Sequence, residues 1–191
     1  MRRMVLQDVL DIAQYERVRP QYRADVIAHK QMRRLEVGPL IWFSFETFET
    51  MLYQVQEMMR SERMVDERQI AREIETFNEL IPAKHQLSAS MMIAVFDERQ
   101  RKDFLAQATT LPQHTFLQID DQRLAFVFDE RQNSSDRFNT LQFVKVTLSP
   151  NQAARFADSR VTIGFDHPLY SHERALSEVL KATLAQDLTR D

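Results

Sequence analysis

The sequence has no cysteine and only two glycines, Gly38 and Gly164. Without thiols this chain can form no disulfide, no thiolate nucleophile and no Cys-ligated zinc or iron–sulfur cluster. Two isolated glycines cannot build a Walker A loop or a G-x-G-x-x-G turn, because each needs several positions where only bare backbone fits against phosphate. The common nucleotide-dependent enzymes are thereby excluded. None of the histidines His29, His85, His114, His167 and His172 follows a glutamate by three positions, so the Glu-x-x-His pairs of carboxylate-bridged di-iron bundles are missing. So is the G-x-S-x-G elbow of a serine hydrolase. No segment approaches the ~18 apolar residues of a membrane span. Asp8 and Asp11 interrupt the apolar run that a signal peptide would need after Arg2 and Arg3. The expectation is a cytoplasmic protein with no membrane partner.

What is present has ordinary globular proportions. The 191 residues suffice for one sizeable core and are short for two. The expected organisation is a single domain over 1–191, with a helical N-terminal segment over 1–33 and a sheet with an αα-hairpin and C-terminal helix over 34–191. Charge is uneven: residues 1–34 carry eight basic side chains against four acidic ones, a balance of +4, which leaves −7 on the rest of a chain of net charge −3. Nucleic-acid-binding domains have a pI above ~9, so an acidic chain with interleaved charges is not expected to bind nucleic acid. Docking of the basic segment onto the acidic remainder is the expected arrangement.

Hydrophobic periodicity sets the elements. Leu6, Val9, Leu10 and Ala13 mark a first short helix, and Pro20 suits the first turn of a second that runs to Lys30, with 15–19 as the connection. Residues 33–37 and 40–46 read as strands joined near Gly38-Pro39. Thr47 caps a helix over 48–65, and Asp66 with Gln69 opens the next, whose Ile70, Ile74, Phe77 and Ile81 share one face until Pro82 stops it. Further strands are expected at 87–96, 115–119, 123–128, 140–148 and 161–165, with short helices opened at Asp97 and Ser149. Leu176, Val179, Leu180, Leu184 and Leu188 mark an amphipathic C-terminal helix. The string Asp-Glu-Arg-Gln recurs at 66–69, 97–100 and 129–132; it reads as local capping and turn chemistry, the third copy running into a loop. The sum is an α+β fold: a largely antiparallel, twisted sheet of about six or seven strands backed by an αα-hairpin and terminal helices.

Glu62 is the residue that points most directly to a site. If 48–65 is helical, Met51, Leu52, Val55, Met58, Met59 and Val65 share a face and Glu62 falls in its middle. A buried carboxylate there would be paired, protonated or bound to a ligand or metal. Gln142 is a second polar residue on an apolar face, that of Val144, Val146 and Leu148, although its place near a strand end favours exposure. Arg17, Arg19, Arg23 and Gln142 are candidate partners of Glu62, making either a ligand pocket or a buried polar cluster. An arginine partner would mean a clamp joining the N-terminal segment to the hairpin. Separately, residues 166–173 crowd two histidines, two carboxylates and a tyrosine together. Asp166, His167 and His172 would supply ligands to a non-thiolate metal, or Asp166 would orient His167 as a general base. The spacing matches no standard zinc signature and Pro168 separates the imidazoles, so a structural loop is favoured over a metal site. No other cofactor is expected and no catalytic residue is assigned.

At Leu52-Tyr-Gln-Val-Gln-Glu-Met-Met-Arg-Ser-Glu-Arg63 the chain resembles a bacterial domain-of-unknown-function family marked by a Val/Ile-Gln-Glu-Met-x-Arg-x-Glu block. Tyr15-Glu16-Arg17-Val18-Arg19-Pro20, Phe77-Asn78-Glu79-Leu80-Ile81-Pro82, Leu87-Ser88-Ala89, Leu141-Gln142-Phe143 and Asp166-His167-Pro168-Leu169-Tyr170 extend the resemblance over nearly the full length. Members are often encoded beside rubrerythrin and an iron–sulfur oxidoreductase. The resemblance therefore implies a peroxide-defence or iron-linked system, with a rubrerythrin-like or iron–sulfur protein as partner. The chain departs from the glycine-rich turns of relatives at Asp120-Asp121 and at Pro82-Ala83-Lys84. The expected function is that of a non-catalytic accessory protein, its partner surface including Arg17, Arg19 and Arg23 or the exposed edge of the hairpin. The alternative is an enzyme or small-ligand receptor using Glu62, or Asp166, His167 and His172; a homo-oligomer is compatible with both.

Overall fold

Period-two patterning places apolar side chains on one face of each strand in a computed structural model that describes residues 2–95, 97–129, 131 and 138–189. Strand β1 (Arg34–Val37) buries Leu35 and Val37, and β2 (Ile41–Phe45) buries Ile41, Phe43 and Phe45. They join β3 (Gln86–Ile93), β6 (Val127–Phe128) and β7 (Leu141–Thr147) in an antiparallel sheet ordered β1-β2-β3-β7-β6. Strands β4 (Thr115–Ile119), β5 (Gln122–Ala125), β8 (Val161–His167) and β9 (Tyr170–Ala175) make a second, ordered β5-β4-β8-β9. The fold is α+β and antiparallel as expected, but two sheets replace the single one.

Periodicity missed the division for two physical reasons. The segment 123–128 is one alternating run, yet it changes sheet at buried Phe126: β5 pairs with β4, and β6 pairs with β7. The stretch around His167 is a hairpin of β8 and β9 rather than a loop, turning at Pro168-Leu169. The inner faces of the two sheets share one core, with the Phe43 ring 5.9 Å from Phe165 and 5.6 Å from Phe126. Helices α4 (Glu98–Gln107), α5 (Pro150–Arg155) and α6 (Glu178–Thr189) add Phe104, Ala153, Leu180, Leu184 and Leu188 to it. Asp97 and Ser149 cap α4 and α5 as expected. Of the third Asp-Glu-Arg-Gln copy, residues 130 and 132 lie outside the described residues, as do 133–135 of the loop expected after it.

A second apolar cluster holds the αα-hairpin of α2 (Phe48–Glu62) and α3 (Glu67–Asn78), capped by Thr47 and Asp66. Met51, Val55 and Met59 of α2 meet Ile70, Ile74 and Phe77 of α3, and Phe143 on the outer face of β7 packs against this cluster. In the N-terminal segment the first expected helix is a single 3-10 turn, Leu6–Asp8, and the second is longer than expected, α1 (Ile12–Gln31) running through 15–19, where a connection was expected. Pro20 removes one backbone bond, but Tyr15 and Arg19 on the preceding turn are anchored to α2, which holds the helix through the gap. Among the described residues no helix is long and apolar enough to cross a membrane.

Two contacts fix the edges. The Tyr170 hydroxyl donates to Val37 O at 2.6 Å and accepts from the N–H groups of Leu40 and Ile41 at 3.1 and 3.2 Å, pinning β9 to the β1–β2 turn. Gly38 is required in that turn: its φ is +69°, and a Cβ would fall 2.5 Å from the Tyr170 hydroxyl. Elsewhere Arg33, just after α1, forms a two-bond ion pair with Asp187 of α6, both residues buried.

Candidate functional site

Glu62 does not occupy the core. It is the exposed last residue of α2, because the chain turns left-handed at Arg63 (φ 52°) and Met64 folds back, its N–H on Met59 O at 2.9 Å. Met64, 3% exposed, fills the apolar slot that periodicity had assigned to Glu62. Gln142 lies elsewhere, fully buried on the inner face opposite Met91. Exposure was the expectation for a strand end, but the Ile93 N–H on Thr140 O at 2.8 Å continues the ladder past it. Its amide donates to Asn139 O at 2.9 Å. Arg17 and Arg23 are exposed on α1. Glu62, Gln142, Arg17 and Arg23 therefore form no common cluster.

The carboxylate that anchors the N-terminal helix is Glu57, five residues earlier. Its Oε1 accepts from the Tyr15 hydroxyl at 2.6 Å and from Arg19 Nε at 2.7 Å, and its Oε2 from Arg19 Nη2 at 2.8 Å. Arg19's hydrogen bonds, joined by that of Tyr15, outweigh burial and hold the Glu57 carboxyl down to about 2. Burial first, then the Glu57 carboxylate, pushes the Tyr15 phenol up. One turn on, Arg60 donates to Glu16 at 2.6 Å. Gln56, buried beside them, accepts the Leu10 N–H at 2.7 Å and donates to Leu10 O at 3.1 Å. Asn78 of α3 treats Met4 in the same way, at 2.7 and 3.0 Å. Tyr15, Tyr22 and Tyr53 form an aromatic run alongside, with centroids 5.9 and 6.1 Å apart.

The expected clamp between N-terminal segment and hairpin thus exists, with Arg19 its arginine and Glu57 its carboxylate. Because the Glu57 carboxyl is held below its ordinary value of 4.5, its contribution to stability is present above pH 4.5 and is lost as pH falls toward 2. Acid titration of unfolding free energy should show this loss in the native protein and lack it in Glu57→Gln. At neutral pH that substitution should cost about 1–2 kcal/mol, the pair being partly solvated.

Asp166, His167 and His172 do not assemble, and among the described residues no group of three or more His, Cys, Asp or Glu is placed to hold a metal. Pairing in the β8–β9 hairpin explains why. His167 lies opposite Tyr170 and His172 opposite Phe165, whereas Asp166 lies opposite Ser171, on the other face. Asp166 binds His114 at 2.9 Å and Arg123 at 2.6 Å, and the hydrogen bond from His114 leads in holding its carboxyl below the usual range. The Leu169 N–H donates to His167 Nδ1 at 3.1 Å, which leaves Nε2–H to donate to Thr110 Oγ1 at 2.9 Å. Both imidazole nitrogens are occupied. Burial, helped by His114, keeps His167 below the ordinary histidine value and so neutral.

Two polar features escaped the sequence reading. Asp187 stands three residues after Leu184 and seven after Leu180, so the stripe itself marks it as facing inward. Glu46 is 4% exposed, with Ser90 Oγ donating to Oε1 at 2.5 Å and Oε2 buried without a hydrogen-bond partner among the described residues; no spacing signal identifies it.

These contacts define a two-sheet α+β protein whose N-terminal helix is clamped to an αα-hairpin through Tyr15, Arg19, Gln56 and Glu57. The sequence pattern of DUF3501, a family of proteins of unknown function, matches residues 3–188, and the chain belongs to that family. It is similar to the crystal structure of a novel protein of unknown function from Burkholderia pseudomallei K96243. The two share 29% identity over 98% of this chain and 100% of the other, with a TM-score of 0.92. No curated protein matches the chain. Three of the six blocks that carried the family resemblance meet at the clamp: Tyr15, Glu16 and Arg19 meet Glu57 and Arg60, while Asn78 holds Met4.

Proposed function

We propose that this protein is an accessory protein that binds another protein through the outward face of α1, in a peroxide-defence or iron-related system whose metal chemistry its partner supplies. The observation that carries the reading is a helix held on one side and charged on the other. Tyr15 and Arg19 face α2, while Arg17 and Arg23 are exposed and make no ion pair among the described residues. Ile27, one turn after Arg23, is 39% exposed. Unpaired guanidinium groups beside an aliphatic side chain suit an acidic protein surface. The partner's class, a rubrerythrin-like or iron–sulfur protein, follows from the gene neighbourhood that the family resemblance implies.

The test is recovery from native extract on the immobilised full chain. The native protein should retain a rubrerythrin-like or iron–sulfur protein, and Arg17→Glu/Arg23→Glu should retain at least about tenfold less. Both positions are exposed, where substitutions commonly change stability by within ~0.5 kcal/mol, so the loss would report binding. Recovery of neither partner class by the native protein would overturn the reading.

A further inference from the structure

The outer face of the five-stranded sheet holds a pocket that none of the clamps uses. Leu80, Val127 and Phe143 wall it, Lys145 projects into it from β7, and Glu79, Asp129 and Arg131 also line it, around a volume of about 140 Å³. Lys145 lies between Val127 of β6 and Ser88 of β3. Its ammonium donates to the Glu79 carbonyl, its one hydrogen-bond partner among the described residues, and no carboxylate pairs with it there. Burial, reinforced by Arg3, holds this lysine below its ordinary pKa. Arg131 is already committed to Asp129 at 2.8 Å and Glu79 at 2.5 Å. Among the described residues the charges around it are three cations (Arg3, Arg131, Lys145) against two carboxylates (Glu79, Asp129), an excess of one positive charge. That charge is the half-buried ammonium.

We propose that this pocket binds a short-chain aliphatic monocarboxylate, its carboxylate pairing with the Lys145 ammonium and its chain lying on Leu80, Val127 and Phe143. A single excess charge suits a monoanion and not a phosphate dianion, whose second charge would face Glu79 and Asp129. The walls are apolar and aromatic, which favours an alkyl chain over a sugar or a polar amino acid. At ~30 Å³ per water the volume corresponds to roughly five waters, the scale of butyrate. The proposal is independent of the partner reading, because α1 takes no part in it.

The experiment is titration of the full chain, carrying ¹³C-labelled lysine, with sodium butyrate against sodium chloride at equal ionic strength. One lysine resonance should shift saturably at millimolar butyrate. Lys145→Met should abolish that response; it places a flexible apolar chain in the same slot and preserves packing. Val127→Glu changes an exposed position (70% exposed) beside Lys145, and should weaken binding at least about tenfold by supplying a carboxylate from within the chain. Butylammonium should give no saturable shift. The proposal is overturned if butyrate shifts no lysine saturably, if the shift persists in Lys145→Met, or if butylammonium produces it equally well.

Discussion

Asp187→Leu is expected to destabilise the protein by about 3–5 kcal/mol, the usual cost of removing one partner from a buried ion pair. The side chains of Arg33 and Asp187 are 6% and 4% exposed. Leucine would leave the guanidinium enclosed with neither of its two carboxylate bonds, while Nε already lacks a hydrogen-bond partner among the described residues. Urea unfolding should register the change as a lower midpoint with an unchanged slope. Adding Arg33→Met to Asp187→Leu should restore most of the loss, because an apolar pair of similar volume replaces the charges without desolvating any. If the double variant is no more stable than the single, Asp187 contributes through helix packing and not through Arg33. The pair connects the end of α1 to α6, so its loss would loosen the chain's N-terminal and C-terminal helices together.

Tyr170→Phe is the second large effect, expected at about 3 kcal/mol. The hydroxyl serves three backbone groups at once, Val37 O, Leu40 N–H and Ile41 N–H. Leaving buried groups unsatisfied costs about 1–3 kcal/mol each, and partial relaxation of the turn brings the total below the sum. The phenyl ring keeps its contacts with Phe104 and Phe165, so the core should hold while the sheet edges part. Amide hydrogen exchange separates these outcomes: Leu40 and Ile41 should lose protection by far more than Phe43 and Met91. Equal loss across all four would show that the ring, not the hydroxyl, secures this edge.

The parts of this fold that the sequence announces are those whose causes lie within a few residues. Thr47, Asp66, Asp97 and Ser149 each accept a backbone N–H three positions on, and the stripe of Ile70, Ile74 and Phe77 needs only one neighbouring helix to be buried. Glu62 failed because periodicity assumes that the helix continues. A left-handed residue at Arg63 handed its slot to Met64. The change of sheet at Phe126 is invisible for a related reason: alternation records which face a side chain takes, never which sheet the strand joins. The N-terminal clamp was legible as a type of contact, an arginine meeting a carboxylate of the hairpin, but choosing Glu57 over Glu62 required the register of α1 on α2. Lys145 gave no signal, since a lysine on the outer face of a strand normally reaches water.

Gln56 and Asn78 grip Leu10 and Met4 by the peptide groups on either side of each Cα, and not by their side chains. Each amide acts as one rung of a sheet edge, indifferent to what the gripped residue displays. The two rungs therefore work as a ruler: they set how much chain runs from Met4 to Leu10 and are blind to its spelling. An exchange at Leu10, 37% exposed, is cheap to such a device, whereas one residue added or removed between the rungs throws α1 out of register with Glu57.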